Sequence, residues 1–165
     1  FANQFLSQKD RVQTTARNGA KPLIVNAANQ TQGINWLEND LWDETAQKKQ
    51  WRTAIIAKTT QECKELYSQL SESARRNTQL ITSENEFMKR SVVIIPAYLA
   101  KGLEFDRVYA WHVAGNFSAS DQLIFYTIAT RAMHELNIIS FGQNSPLLEN
   151  VQADSYQQKD LLLEE

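Results

Sequence analysis

Short apolar runs constrain this chain more than anything else in it. "PLIVNA" (22–27), "RTAIIAKT" (52–59), "SVVIIPA" (91–97) and "DRVYAWHV" (106–113) are each too short for a core helix. Their apolar residues stand at consecutive positions rather than alternate ones, so both faces of each run seek burial. Helical patterns lie between them. "GINWLENDLWDETAQKKQW" sets Ile34, Leu37 and Leu41 on one face, with Trp36 off that face and partly covered at its edge. Thr59 and Glu62 form a T-x-x-E start signal, after which Cys63, Leu66, Tyr67, Leu70 and Ala74 share one stripe. That stripe makes Cys63 a core residue and not a nucleophile. "TQLIT" reads as a short strand. "SASDQLIFYTIATRAMHEL" reads as a serine-capped helix, apolar nearly all round and buried on most sides, and "NIISF" as a last strand. Buried strands alternating with amphipathic helices predict an α/β domain with a mostly parallel sheet flanked by helices.

The 165 residues suit one domain, read as 1–150, with a tail over 151–165 that is a short helix or disordered. "FANQFLSQKD" reads as the end of a helix cut from a longer chain and lacks the pattern of a signal peptide. "RVQTTARNGAKP" reads as a loop. No apolar run reaches the roughly 20 residues of a membrane helix. A single cysteine excludes an internal disulfide and a cysteine zinc site and fits a reducing cytoplasm. His112 and His134 have no second ligand at zinc spacing, so no metal site is expected. A net charge of −2 gives no bulk support for autonomous nucleic-acid binding. The basic clusters Lys48, Lys49 and Arg52, Arg75 and Arg76, and Lys89 and Arg90 read as solvated surface.

One turn stands out. Lys101, Gly102 and Glu104 sit between two runs that both look buried. Loops carried by a rigid sheet are where such folds present their chemistry, and open parallel sheets bind ligands at the carboxyl ends of their strands. Gly102, Glu104 and Arg131 are therefore expected near such an edge. Glycine lets backbone approach a ligand closely, a carboxylate is acceptor-only, and a guanidinium is a permanently charged fork of donors. The competing structural role for Arg131 is a buried ion pair with Glu135.

"AKGLEFDRV" resembles motif V of superfamily 1 helicases of the UvrD/Rep/PcrA type, and "YTIATRAMHEL" resembles their motif VI. Order and spacing agree, and "FANQFL" followed by "RNGAKP" is similar to the segment after motif IV. The resemblance covers most of the chain. It implies the second RecA-like domain, called 2A. It further implies that Gly102 and Glu104 meet the nucleotide, Glu104 at the ribose, and that Arg131 is an arginine finger for the γ-phosphate. Tyr98 stands where the family has a histidine that touches single-stranded DNA, and is either a DNA contact or core. The form "PAYLAKGLEFD" resembles the HelD-type branch, which works with RNA polymerase. No P-loop pattern is present, and 77–90 leave no room for the family's 2B insertion.

The resemblance implies the C-terminal motor domain of an ATP-dependent DNA helicase that steps along single-stranded DNA. ATP and Mg2+ are the cofactors, with the Mg2+ ligands on an upstream RecA-like domain that is also the main partner. The fragment alone is not expected to hydrolyse ATP. The alternatives are an RNA-polymerase-associated ATPase that remodels transcription complexes and a non-catalytic interaction domain.

Overall fold

The structure is a computed structural model. It describes residues 1–5, 20–43, 50–111, 117–142 and 146–161. Seven strands form one sheet in the order β3-β4-β2-β5-β6-β1-β7, and every pairing is parallel. The strands are β1 (Leu23–Ala27), β2 (Thr53–Ala57), β3 (Thr78–Leu80), β4 (Val92–Pro96), β5 (Phe105–Trp111), β6 (Ala132–Phe141) and β7 (Gln157–Asp160). The helices among the described residues are α1 (Gln30–Leu41), α2 (Thr60–Gln69), α3 (Glu72–Asn77), α4 (Ala97–Ala100) and α5 (Gln122–Ala129), with 3-10 turns at Ala2–Phe5, Ala119–Asp121 and Ala153–Ser155.

Strand β2 shows why the sheet is central. All five of its residues are buried. Ala54 and Ile56 join one core with Phe5, Ile95, Val108, Phe125 and Ile128. Ile55 and Ala57 join the opposite core with Leu37, Leu66, Ile94 and Tyr109. Side chains alternate across a strand, so a continuous apolar run supplies both cores at once. Helices α4 and α5 cover the first face, and α1, α2 and α3 the second.

The α1 stripe is as expected: Ile34, Leu37 and Leu41 are buried. Trp36 is half-buried, edge-on to Tyr109 with ring centroids 6.2 Å apart. Cys63 is fully buried, and burial pushes its thiol up to about 12, so it is no nucleophile. Thr59 accepts from the Glu62 amide at 3.2 Å, as its start signal predicts. The Glu62 carboxylate reaches the Lys58 amide, one residue further back than the simple box.

Three expectations are corrected. The second helix is two helices: Leu70 turns extended (ψ 151°), and Ser71 caps α3 by accepting from the Ala74 amide. The buried stripe survives the break, because Leu70 and Ala74 still face the core. "RAMHEL", read as helical, is strand: α5 stops at Ala129 and β6 begins at Ala132. Pairing with β5 overrides the helical propensity of those residues. Gln157–Asp160, read as tail, pairs with β1 as strand β7. Helix α5 is also less buried than its composition suggests, with Leu123 64% exposed and Ile124 36% exposed. The loop over 11–19, the cluster at Lys48 and Lys49, and His112 lie outside the described residues.

No helix among the described residues is long and apolar enough to cross a membrane.

Candidate functional site

The turn between α4 and β5 has a specific geometry. Lys101 has φ −59° and ψ 127°, Gly102 has φ +83°, and the Leu103 amide donates to the Ala100 carbonyl at 3.0 Å. These are the angles of a type II turn, which needs positive φ at its third residue and therefore selects glycine. A Cβ at Gly102 would meet nothing within 4 Å. The cost of Gly102→Ala is therefore conformational, about 1–2 kcal/mol. A fall of that size in unfolding free energy by chemical denaturation checks it, and an unchanged midpoint contradicts the turn assignment.

The turn delivers the exposed Glu104 directly before β5, and Arg131 lies directly before β6. In a parallel sheet those are the amino ends of adjacent strands. The expectation of the carboxyl edge is thus corrected for Glu104 and Arg131. The segment after β4 crosses from the carboxyl edge to the amino edge before the sheet resumes.

Backbone and side chain bind the two motifs into one unit. The Phe105 amide donates to the Arg131 carbonyl at 2.8 Å. Arg131 Nη1 donates to the Leu103 carbonyl, Nε to the Thr127 carbonyl and Nη2 to Thr130 Oγ1, each at 3.2 Å. Thr130 Oγ1 itself donates back to Tyr126 O at 2.9 Å and closes the end of α5. Arg131 is half-buried and makes no ion pair with a carboxylate among the described residues. Glu135 instead lies on β6 opposite Arg107 of β5, so the buried Arg131–Glu135 pair does not form. A guanidinium has five N–H donors; three engage neutral acceptors here, leaving two and the charge itself for an anion.

Tyr98 is 59% exposed and is not core. It follows β4 and stands at the carboxyl edge, opposite to Glu104 and Arg131, with its hydroxyl 3.4 Å from Thr60 Oγ1. A groove of about 160 Å³ there is lined by Lys58, Ala97, Tyr98, Lys101, Ile124 and Thr127. Lys58 Nζ pairs with Asp121 Oδ2 at 2.8 Å. Hydrogen bonds from Lys58 and from the Ser118 amide hold the Asp121 carboxyl below its usual range. The contact fixes the start of α5 over the carboxyl end of β2.

The sequence reading missed one feature of the amino edge. Trp51, just before β2, stacks on His134 of β6 with centroids 5.4 Å apart and planes 18° apart. His134 Nε2 lies 3.6 Å from Asp106 Oδ1. These residues are far apart in sequence, and only strand order brings them together. No group of three residues able to hold a metal occurs among the described residues.

An all-parallel seven-stranded sheet, flanked by helices and carrying this joined turn and arginine at one edge, defines a RecA-like α/β domain. The chain matches no family model and no curated protein. Among solved structures it is similar to the C-terminal domain of a possible DNA helicase from Lactobacillus plantarum WCFS1. That match is 31% identical, covers 95% of this chain and 91% of that one, and has a TM-score of 0.77. The chain belongs to the family of that helicase C-terminal domain. It is also similar in fold to arterivirus nonstructural protein 10, a helicase solved with DNA, at 8% identity, covering 84% of this chain and 35% of that one with a TM-score of 0.53. Nothing in these likenesses supports RNA polymerase as a partner.

Proposed function

We propose that this domain is the second RecA-like motor unit of an ATP-dependent, UvrD-like DNA helicase, completing an ATP site and helping to move single-stranded DNA. The observation that carries the reading is Arg131, a cation without a carboxylate partner among the described residues, hydrogen-bonded to the very turn that presents Glu104. The residues fit a nucleotide held against the amino edge: the Glu104 carboxylate accepts from ribose hydroxyls, and Arg131 offers its remaining N–H donors to phosphate. ATP supplies the phosphoryl chemistry. The P-loop and magnesium ligands belong, in this reading, to a facing RecA-like domain. The carboxyl edge fits single-stranded DNA, because exposed Tyr98 offers a ring for a base beside Lys58 and Lys101. The HelD-type assignment rests on "PAYLAKGLEFD" alone, and no structural observation favours it over the general one.

Two substitutions in the full-length protein test the two edges separately. Glu104→Ala is expected to weaken ATP binding by roughly 1.5–3 kcal/mol, the worth of a hydrogen bond to a charged group. An unchanged dissociation constant rules out the ribose role. Tyr98→Ala is expected to weaken single-stranded DNA binding by roughly 1–3 kcal/mol while leaving the melting temperature in place, since the ring is mostly exposed. Unaltered DNA affinity removes Tyr98 from the nucleic-acid path.

A further inference from the structure

Arg107 is not used by the site above. It lies on β5 near the amino edge and is only 6% exposed. Its Nε donates to Thr53 Oγ1 at 3.3 Å, and its guanidinium carbon lies 5.3 Å from the Tyr109 ring centroid. Two carboxylates are near: Glu135, opposite it in register on β6, and Asp40, which accepts the Tyr109 hydroxyl. Neither forms an ion pair with it. A charge buried this deeply without an ion pair among the described residues is costly, and its presence calls for something that compensates it.

The guanidinium borders a pocket of about 500 Å³ at the amino ends of β2, β3 and β4. Arg107, Arg90, Trp42, Trp51, Gln50 and Asn77 line it, and no carboxylate does among the described residues. The size lies within the roughly 300–1,000 Å³ range of small-ligand sites. Two guanidiniums on a concave wall suit phosphate oxygens, because the planar fork donates in pairs. Two indoles stand in the same wall, Trp51 with one ring face already stacked on His134, and indoles are surfaces on which bases stack. The pocket lies under the end of α1, on the sheet face opposite to α4 and α5. Arg131 hydrogen-bonds to the end of α5 and is not part of it.

We infer that this pocket is a second site for a phosphate-bearing nucleotide unit, with Arg107 and Arg90 holding the phosphate and the tryptophans flanking the base. The unit is either a free nucleotide or one residue of a single strand. The test uses the 165-residue chain and NMR of the Arg107 Nε–H and the Trp42 and Trp51 indole N–H signals. Inorganic pyrophosphate, ATP and a short oligothymidylate are titrated in turn. Pyrophosphate is expected to shift the Arg107 signal, and the two nucleotides to shift the indoles as well. Saturation at lower concentration by the oligothymidylate assigns the site to a strand, and by ATP to a free nucleotide. Arg90→Glu and Arg107→Gln are each expected to weaken binding about tenfold or more, the scale of one lost charge-assisted hydrogen bond. Arg131→Ala is expected to leave it unchanged. Silent signals, indifference to Arg90→Glu, or equal loss in Arg131→Ala overturns the inference. Arg90 is exposed, so its variant carries the test even where Arg107→Gln fails to fold.

Discussion

Arg131→Ala in the full-length protein is expected to lower ATP turnover by about 10³, the low end of the range for arginine fingers, while changing ATP affinity little. Charge on the transferring phosphoryl group develops in the transition state, so a cation placed there acts on rate more than on binding. Folding should survive. The variant loses three hydrogen bonds to neutral acceptors, each worth about 1 kcal/mol net, and orphans no buried carboxylate among the described residues. Arg131→Lys should rescue only partly, because an ammonium cannot reproduce the fork that reaches Leu103 O, Thr127 O and Thr130 Oγ1 together. Steady-state turnover and equilibrium nucleotide binding on the same preparations check this. A folded variant with normal turnover means that the amino edge does not face the γ-phosphate.

Phe125→Ala is expected to be the most destabilising single truncation in α5, the helix that ends two residues before Arg131. Phe125 is fully buried and meets Phe5 and Phe117 edge-on, with centroids 4.6 Å and 5.9 Å away. Its ring joins α5 to the amino-terminal turn and to the segment that leads into α5. Phe→Ala at such sites costs about 3–5 kcal/mol, transfer and cavity terms together. Domains of this kind are stable by only about 5–15 kcal/mol, so the loss is a large share of the whole. Urea denaturation should show the midpoint falling with an unchanged slope. A loss below about 1 kcal/mol, far under the usual cost, means that the aromatic cluster relaxes around the gap.

What the sequence made legible follows from how local each signal is. The α1 stripe and the Thr59 cap are decided within one helical turn or two, and both are present. The buried strands announce themselves because a continuous apolar run has few other uses in a water-soluble core. Strand β6 starts earlier than expected because Ala132, Met133, Glu135 and Leu136 are acceptable in helices, and only the neighbouring β5 decides otherwise. Strand β7 is wholly exposed and polar, "QQKD", and exists by pairing with β1. No pattern within it could have revealed that. Gly102, Glu104, Arg131 and Tyr98 were singled out by motif, but the edge each occupies was not. That depends on how far the chain travels between Pro96 and Phe105, which motif spacing does not state. Trp51 carries no motif and Arg107 falls in the motif V stretch without a role there, and strand order alone makes them neighbours of one pocket.

That same connection from Pro96 to Phe105 leaves very little slack. Through their shared partner β2, Pro96 lies opposite Ala57 and Arg107 opposite Thr53. At about 3.3 Å per residue the chain must descend roughly 20 Å to reach Phe105, and two strand spacings add roughly 10 Å sideways, a straight path of about 22 Å. One short helix rising about 1.5 Å per residue, the type II turn over 100–103 spanning under about 7 Å, and extended chain into Phe105 supply nearly the same contour. The connection is a taut tether whose upper end holds Tyr98 and whose lower end holds Glu104 and the carbonyl that grips Arg131. A tether without spare length transmits displacement instead of absorbing it. Inserting a single glycine into 97–104 should therefore uncouple the two edges while leaving each one's residues intact.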